Sequence, residues 1–240
     1  MENLFPQVIS CDRLAETEMQ VMFALYRSHY SACDKRQFLA DLEEKDSVIL
    51  LRNSNGTVCG FTSLLLIEFD FAGSPGRAIF SGDTVIHQDY WGTQALSLAW
   101  CRMAGMIKAQ QPHLPLYWFL IVKGYRTYRY LPLFARDFYP SWRRQTPAAT
   151  QALMDYLASQ KFGVAYNPET GIVRFQDSRG QLSEELAAIP PHVVNNRDVR
   201  FFLERNPGYA QGDELVCLTE LDENNLRSFA LKGFRDSIAS

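Results

Sequence analysis

No C-x-x-C pair occurs in the sequence, and its five cysteines (Cys11, Cys33, Cys59, Cys101 and Cys217) are odd in number and widely scattered. That excludes a disulfide framework and a clustered zinc site, and fits small thiols in a reducing compartment. Long apolar runs are missing too. The run around residues 64–67 with its neighbours, like every other, falls far short of the ~20 residues that cross a bilayer. The opening MENLFPQVISCDRL has acidic Glu2 and no basic stretch ahead of an apolar run, so it does not read as a secretory signal. Neither sign of charge prevails: 24 Lys+Arg against 27 Asp+Glu leave −3, which gives no global field for nucleic acid. There is no G-x-x-x-x-G-K-[ST] phosphate loop, no H-E-x-x-H zinc helix and no G-x-S-x-G nucleophile turn. The four histidines, at 29, 87, 113 and 192, lie far apart. The expectation is a cytoplasmic protein with no metal, no membrane span and no nucleic-acid partner.

What is present is apolar and aromatic. Of 240 residues, 47% are hydrophobic and 13% aromatic, enough for one large domain, or a core with a substantial extension, and too much for a disordered chain. Helical spacing of Leu14, Val21, Met22, Leu25 and Tyr26 predicts a helix over 12–29. A second over 34–43 has Asp34 as N-cap. SVILLR at 47–52 and the run at 57–69 read as strands around Asn53-Ser-Asn-Gly56, a hairpin signal. A loop at 71–76 precedes a strand over 77–87, and a long helix follows over 92–111. LYWFLIV at 116–122 is apolar without interruption, as in a strand buried on both faces. Beyond it come a helical stretch broken by Pro132, a helix from Pro147 capped by Thr146, a hairpin around 167–171, a helix over 196–206 and a strand over 214–221.

The strand at 77–87 runs into VIHQDYWGTQAL over 85–96. A strand feeding a helix leaves the first helical N–H groups free, a ready anion site if nearby side chains are small. Gly92, Thr93 and Ala95 suit this. A glycine at such a turn is also needed for backbone reasons alone. Together with the element order, the DYWG entry at 89–92 resembles the GNAT superfamily of acyl-CoA-dependent N-acyltransferases, in which this turn holds the pyrophosphate of coenzyme A. The resemblance covers roughly 14–138. It implies carrier contacts from Val85, Tyr90, Trp91, Gly92, Thr93, Gln94, Ala95 and Leu96, with backbone N–H near Val85 steadying the thioester carbonyl. It also implies a short strand hidden near 71–76, so that 77–87 is the fourth. Gln94 departs from the pattern where the family usually has a second glycine. Either the pyrophosphate pose differs or the turn is reshaped around another carrier.

By the same resemblance a tyrosine seven residues past a polar residue closing the next strand protonates the departing thiolate. Lys123 takes the polar place and Tyr130 the tyrosine's, with Tyr128 and Tyr125 as alternatives; the competing reading packs Tyr130 into the aromatic cluster. A phenol is well matched to a leaving thiolate. For a base, SGDTVIH at 81–87 offers Asp83 and His87 on one strand face, and Gly82 marks a bulge or a close backbone approach, where family members splay two strands to admit the carrier. A Cys101/His87 nucleophile pair is disfavoured, since Cys101 sits mid-helix beside Trp100. Tyr26, His29 and Tyr30, with Tyr128, are the candidate acceptor-site residues.

Residues 117–144 hold ten aromatics and six cations against one acid, Asp137. The cations could meet CoA phosphates or an acidic acyl carrier protein while the aromatics line an acyl pocket; they could serve nucleic acid, disfavoured by net charge; or they are a solvated basic face over an aromatic core.

The expectation is an α/β protein, GNAT-like, with a mixed, mostly antiparallel sheet flanked by helices: a core over 1–140 and a C-terminal αβ extension over 141–240 packed on it. Its expected activity is acyl transfer from a thioester carrier (acetyl-CoA or longer acyl-CoA as co-substrate, or acyl carrier protein) to an amine acceptor in a ternary complex. A non-catalytic module binding an acyl carrier or an anionic partner is the alternative.

Overall fold

The computed structural model describes residues 3–236; Glu2 lies outside them. β1 (Phe5–Ser10) leads to α1 (Glu16–His29), β2 (Tyr30–Ser31) and α2 (Lys35–Glu43). Then come β3 (Ser47–Arg52), β4 (Val58–Phe71), β5 (Ser74–Ile86), α3 (Ala95–Gln110) and β6 (Leu116–Val122). The helical stretch broken at Pro132 becomes α4 (Tyr125–Tyr128) and α5 (Tyr130–Phe134), followed by α6 (Ala148–Phe162). The remainder is β7 (Tyr166–Asn167), β8 (Ile172–Val173), β9 (Gln181–Leu182), α7 (Glu184–Ala187), α8 (Arg197–Arg205), β10 (Glu214–Glu220) and α9 (Ser228–Asp236).

Eight strands form one sheet in the order β1-β3-β4-β5-β6-β10-β8-β7. Its neighbours are antiparallel except β5 and β6, which run parallel. This is the mixed, mostly antiparallel sheet flanked by helices that the sequence predicts. β6 sits between β5 and β10, which explains its unbroken apolar run. One face is covered by α3, α4, α5, α8 and α9, the other by α1 and α2 at one end and α6 at the other.

Local chemistry accounts for the elements. Asp34 accepts a hydrogen bond from the Gln37 N–H, and Asn196 from those of Asp198 and Val199, each capping its helix. Asn53 Oδ1 accepts from the N–H groups of Asn55 and Thr57 in the β3–β4 turn. Pro147, not Thr146, precedes α6, and no side chain caps that helix.

Two expectations are corrected. The loop at 71–76 is a two-residue turn, with Ala72 at φ 53° and Gly73 at φ 77°; its other residues belong to β4 and β5, and no separate strand lies there. An alanine at positive φ is rare, so the turn carries no Asn-Gly signal. The missing strand is β1, an edge strand containing Pro6, whose irregular pattern gives no clean alternation. Within residues 141–240, β10 pairs with β6 inside the main sheet.

Candidate active site

Parallel pairing of β5 with β6 begins at Arg77↔Leu116 and stops at Ser81↔Leu120. Beyond Ser81 the two strands part company: β6 stays paired to β10, and β5 stays paired to β4. The β4–β5 register shifts between Thr62 and Leu64, which face Thr84 and Ser81, so Gly82 and Asp83 form a bulge. A Cβ at Gly82 would lie 2.4 Å from Ser63 Oγ and 2.8 Å from Lys45 Cε, so any larger residue would displace those two side chains.

At this parting lies a cavity of about 770 Å³. Leu96, Trp100 and Trp118, from the α3 face, and Phe80, from the opposite face, line it together. The cavity therefore passes through the sheet. Both indole N–H groups, of Trp100 and Trp118, donate to Ser81 Oγ at 3.1 and 2.9 Å. Tyr130 and Phe134 continue the wall. Burial holds the Tyr130 phenol above its ordinary pKa, against a lowering hydrogen bond with Ser97.

One end of the cavity reaches the start of α3, where Gly92, Thr93, Leu96 and Ser97 line it. Gly92 has φ 87° with no atom within 4 Å of the place a Cβ would take. Thr93 Oγ1 accepts from the Ala95 N–H at 3.2 Å, whereas the N–H groups of Leu96 and Ser97 have no acceptor among the described residues. Gln94, the N-cap, is exposed and makes no capping bond with its side chain. Trp91, 49% exposed, donates its indole N–H to the Ile86 carbonyl oxygen at 2.8 Å and packs edge-on to His29.

The other end is a charged chamber. Asp83 is half-buried and lines the cavity; burial first, then Glu214 and Asp41, opposed by Lys123 and Lys45, pushes its pKa up to about 6. Lys123 lies 3.5 Å from Glu214 and donates to the Arg179 carbonyl oxygen at 3.0 Å. Tyr26 donates to the same oxygen at 2.9 Å. Burial raises the phenol pKa values of both Tyr26 and Tyr30. Arg179 itself reaches Asp41 at 2.8 Å. The segment carrying it is fastened by β9, which pairs with β2.

Of the expected site residues, the cavity brings together Asp83, Tyr130, Trp91, Gly92, Thr93, Leu96, Tyr26, His29 and Tyr30. Tyr90, Gln94 and Ala95 stand in the same turn without lining it. Others lie elsewhere. The His87 N–H donates to the Cys59 carbonyl oxygen at 2.8 Å. By antiparallel alternation that parity turns the Val85 amide to β4, and the backbone of Thr84 and Ile86 toward the gap. The Val85 side chain packs beneath α1 and α2. The His87 ring accepts from the Asp89 N–H at 3.3 Å, outside the cavity. Tyr128 is 0% exposed, donating to the Pro140 carbonyl oxygen at 2.8 Å within the core. Burial lifts the Cys101 thiol to about 12, so it does not ionise as a nucleophile would. The basic, aromatic segment is largely structural: Arg136 donates to the carbonyl oxygens of Asn224 and Leu226, Arg143 pairs with Asp198 and Arg144 with Asp137.

Sequence reasoning missed Lys45, Ser81, Glu214 and Arg179, which come from four separated segments. Among the described residues no group of three or more His, Cys, Asp or Glu could hold a metal ion, and no helix is long and apolar enough to cross a membrane.

No protein-family model matches the chain, and no curated protein does. Solved structures similar to it include a conserved protein of unknown function from Enterococcus faecalis V583, titled a probable N-acyltransferase: 17% identity, 56% of this chain, 33% of that one, TM-score 0.40. A GNAT family N-acetyltransferase from Escherichia coli in complex with CoA gives 12% identity, 51% of this chain, 64% of that one and TM-score 0.36. NAA60 from Arabidopsis thaliana, in complex with acetyl-CoA, gives 11% identity, 57% and 87% coverage and TM-score 0.40. The match spans a third of the length of the first of these and under two thirds of the second.

Proposed function

We propose that this chain is a divergent GNAT-type N-acyltransferase moving an acyl group from a CoA thioester to a primary amine by direct attack. The observation that supports it most is the cavity through the sheet. It joins unpaired helix amides on one face to the half-buried Asp83 carboxyl group on the other, which is the path an extended thioester needs.

In this reading the pyrophosphate meets the Leu96 and Ser97 N–H groups across the open Gly92. The pantetheine arm runs between β5 and β6 past Trp100 and Trp118, and the backbone of Thr84 and Ile86, rather than that of Val85, faces the thioester. The amine nitrogen attacks the carbonyl carbon; the C–N bond forms as the C–S bond breaks. Asp83 takes the amine's proton, and Tyr130 gives its own to the leaving thiolate. A carboxyl group with pKa about 6 is ionised at neutral pH yet basic enough to serve. Tyr130, held above its usual pKa, stays protonated until sulfur takes the proton.

The test is thiol release from acetyl-CoA and lauroyl-CoA with a panel of primary amines, alongside thermal shift with CoA alone. Amine-dependent thiol release with a CoA-induced rise in Tm supports the reading. A rise in Tm without release from any donor, acyl carrier protein included, makes the chain a binding module. Neither signal overturns both.

A further inference from the structure

Charges inside the chamber can be paired off one by one. Asp41 meets Arg179 at 2.8 Å, Glu44 meets Lys161 at 3.3 Å and Glu214 meets Lys123 at 3.5 Å. Arg174 at the chamber wall pairs with Asp213. Asp177 and Arg126 stand exposed at the rim. Two charges are left, Lys45 and Asp83, and neither forms an ion pair with any described residue. The Lys45 ammonium has one hydrogen bond, to the Asp41 carbonyl oxygen at 2.6 Å.

These two leftovers are neighbours of opposite sign. The Lys45 stem runs against Gly82, so close that a Cβ there would lie 2.8 Å from Lys45 Cε, and Asp83 is the next residue. The Lys45 ammonium stands over the Phe80 ring, 5.7 Å from its centroid, and that of Lys161 stands over the same ring at 4.8 Å. The two cations share this ring and repel each other, burial first and then the Lys161 charge lowering the Lys45 pKa, and an oxyanion near both would relieve that repulsion. A partly buried ammonium without a counter-ion is costly, so the arrangement is suited to a ligand that brings one.

We infer that the acceptor is a small zwitterion, an amine that also carries a carboxylate or phosphate, with its amine at Asp83 and its oxyanion at Lys45 beside Lys161. The inference rests on the acyl-transfer reading for the role of the amine, but the binding site it describes does not. A simple alkylamine would satisfy Asp83 and leave Lys45 bare. A purely anionic ligand would do the reverse. Only a molecule with both charges fills both places.

The experiment uses matched amines: L-phenylalanine with L-phenylalaninamide, and O-phosphoethanolamine with ethanolamine. Each is measured by thermal shift without CoA and by thiol release with acetyl-CoA. At least one zwitterion is expected to bind tenfold or more tighter than its partner, and to be preferred similarly in kcat/KM. The pair that responds identifies carboxylate or phosphate. Lys45→Met and Lys45→Gln should bring the two members of that pair level, mainly through KM, and Lys45→Arg should restore the gap. Equal response to both members in the unaltered protein, or a preference that survives in both Lys45→Met and Lys45→Gln, overturns the inference. Lys45-dependent binding without thiol release leaves the site standing and removes the transfer reading. Thiol release with the neutral amines alone does the opposite, and silence in both assays removes both.

Discussion

Ser81 and Leu120 are the last residues to pair across β5 and β6, and the Ser81 hydroxyl oxygen holds both tunnel tryptophans. The residue at the end of the parallel ladder thus also fixes the wall beyond it. Ser81→Ala leaves two buried indole N–H groups without an acceptor, at about 1–3 kcal/mol each. Partial relaxation should keep the total near 2–4 kcal/mol, a fall of roughly 5–15 °C in Tm. Calorimetry decides it: a change under about 2 °C would mean the indoles find other acceptors.

Tyr130→Phe removes one hydroxyl from a wall that Phe134 otherwise completes in apolar fashion. Loss of general acid help should lower kcat for thiol release by roughly 10²–10⁴, leaving KM for acetyl-CoA within about threefold, since the ring still packs. Thiol release at the unaltered rate would return Tyr130 to a packing role.

Asp83 gives a pH signature with a defined sign. Its acid form is favoured by the fold, with pKa raised from 3.8 to about 6, so the ionised form is the costly one. That cost is absent below about pH 4, grows between pH 4 and 6, and is complete above 6. Asp83→Asn should therefore stabilise the protein at pH 8 by up to roughly 3 kcal/mol and leave it nearly unchanged at pH 4. In the same variant kcat/KM should fall, and the acid limb centred near pH 6 should vanish from the rate profile. A limb that persists assigns the titration to another group.

Much of this was legible locally. β3 and β6 are short apolar runs bounded by turn residues, while α2 and α8 announce themselves by Asp34 and Asn196. The turn at Gly92 and the bulge at Gly82 were readable because one contiguous stretch carries both. The charged chamber was not. Lys45 stands in the run Glu43-Glu44-Lys45-Asp46, which looks like a solvated loop. Glu214 opens an apolar strand, and its partner Lys123 arrives from the far end of β6. Pairing across such sequence separations is set by sheet order, which periodicity does not encode. β9 and β2 are two residues each, too short for any alternation to register, yet they fasten the segment that brings Arg179 to Tyr26.

The close docking of α9 on α3 gives a final test, on the C-terminal segment. A Cβ on Gly105 would fall 2.0 Å from the Phe234 carbonyl oxygen, and backbone cannot swing aside as a side chain does. Two effects oppose one another in Gly105→Ala. Helix propensity favours alanine by about 1 kcal/mol. Overpacking costs about 1–3 kcal/mol, and separating the helices also loosens Ala230 and Phe234, both buried in the main core. The second effect should win, lowering Tm and exposing the α9 amides to hydrogen exchange ahead of those in β6. Neither Gly105 nor α9 lines the cavity, so thiol release at a temperature well below the transition should stay near the unaltered rate. A rise in Tm would mean that α9 does not sit on α3 in solution, and that residues 228–236 are not part of the cooperative fold.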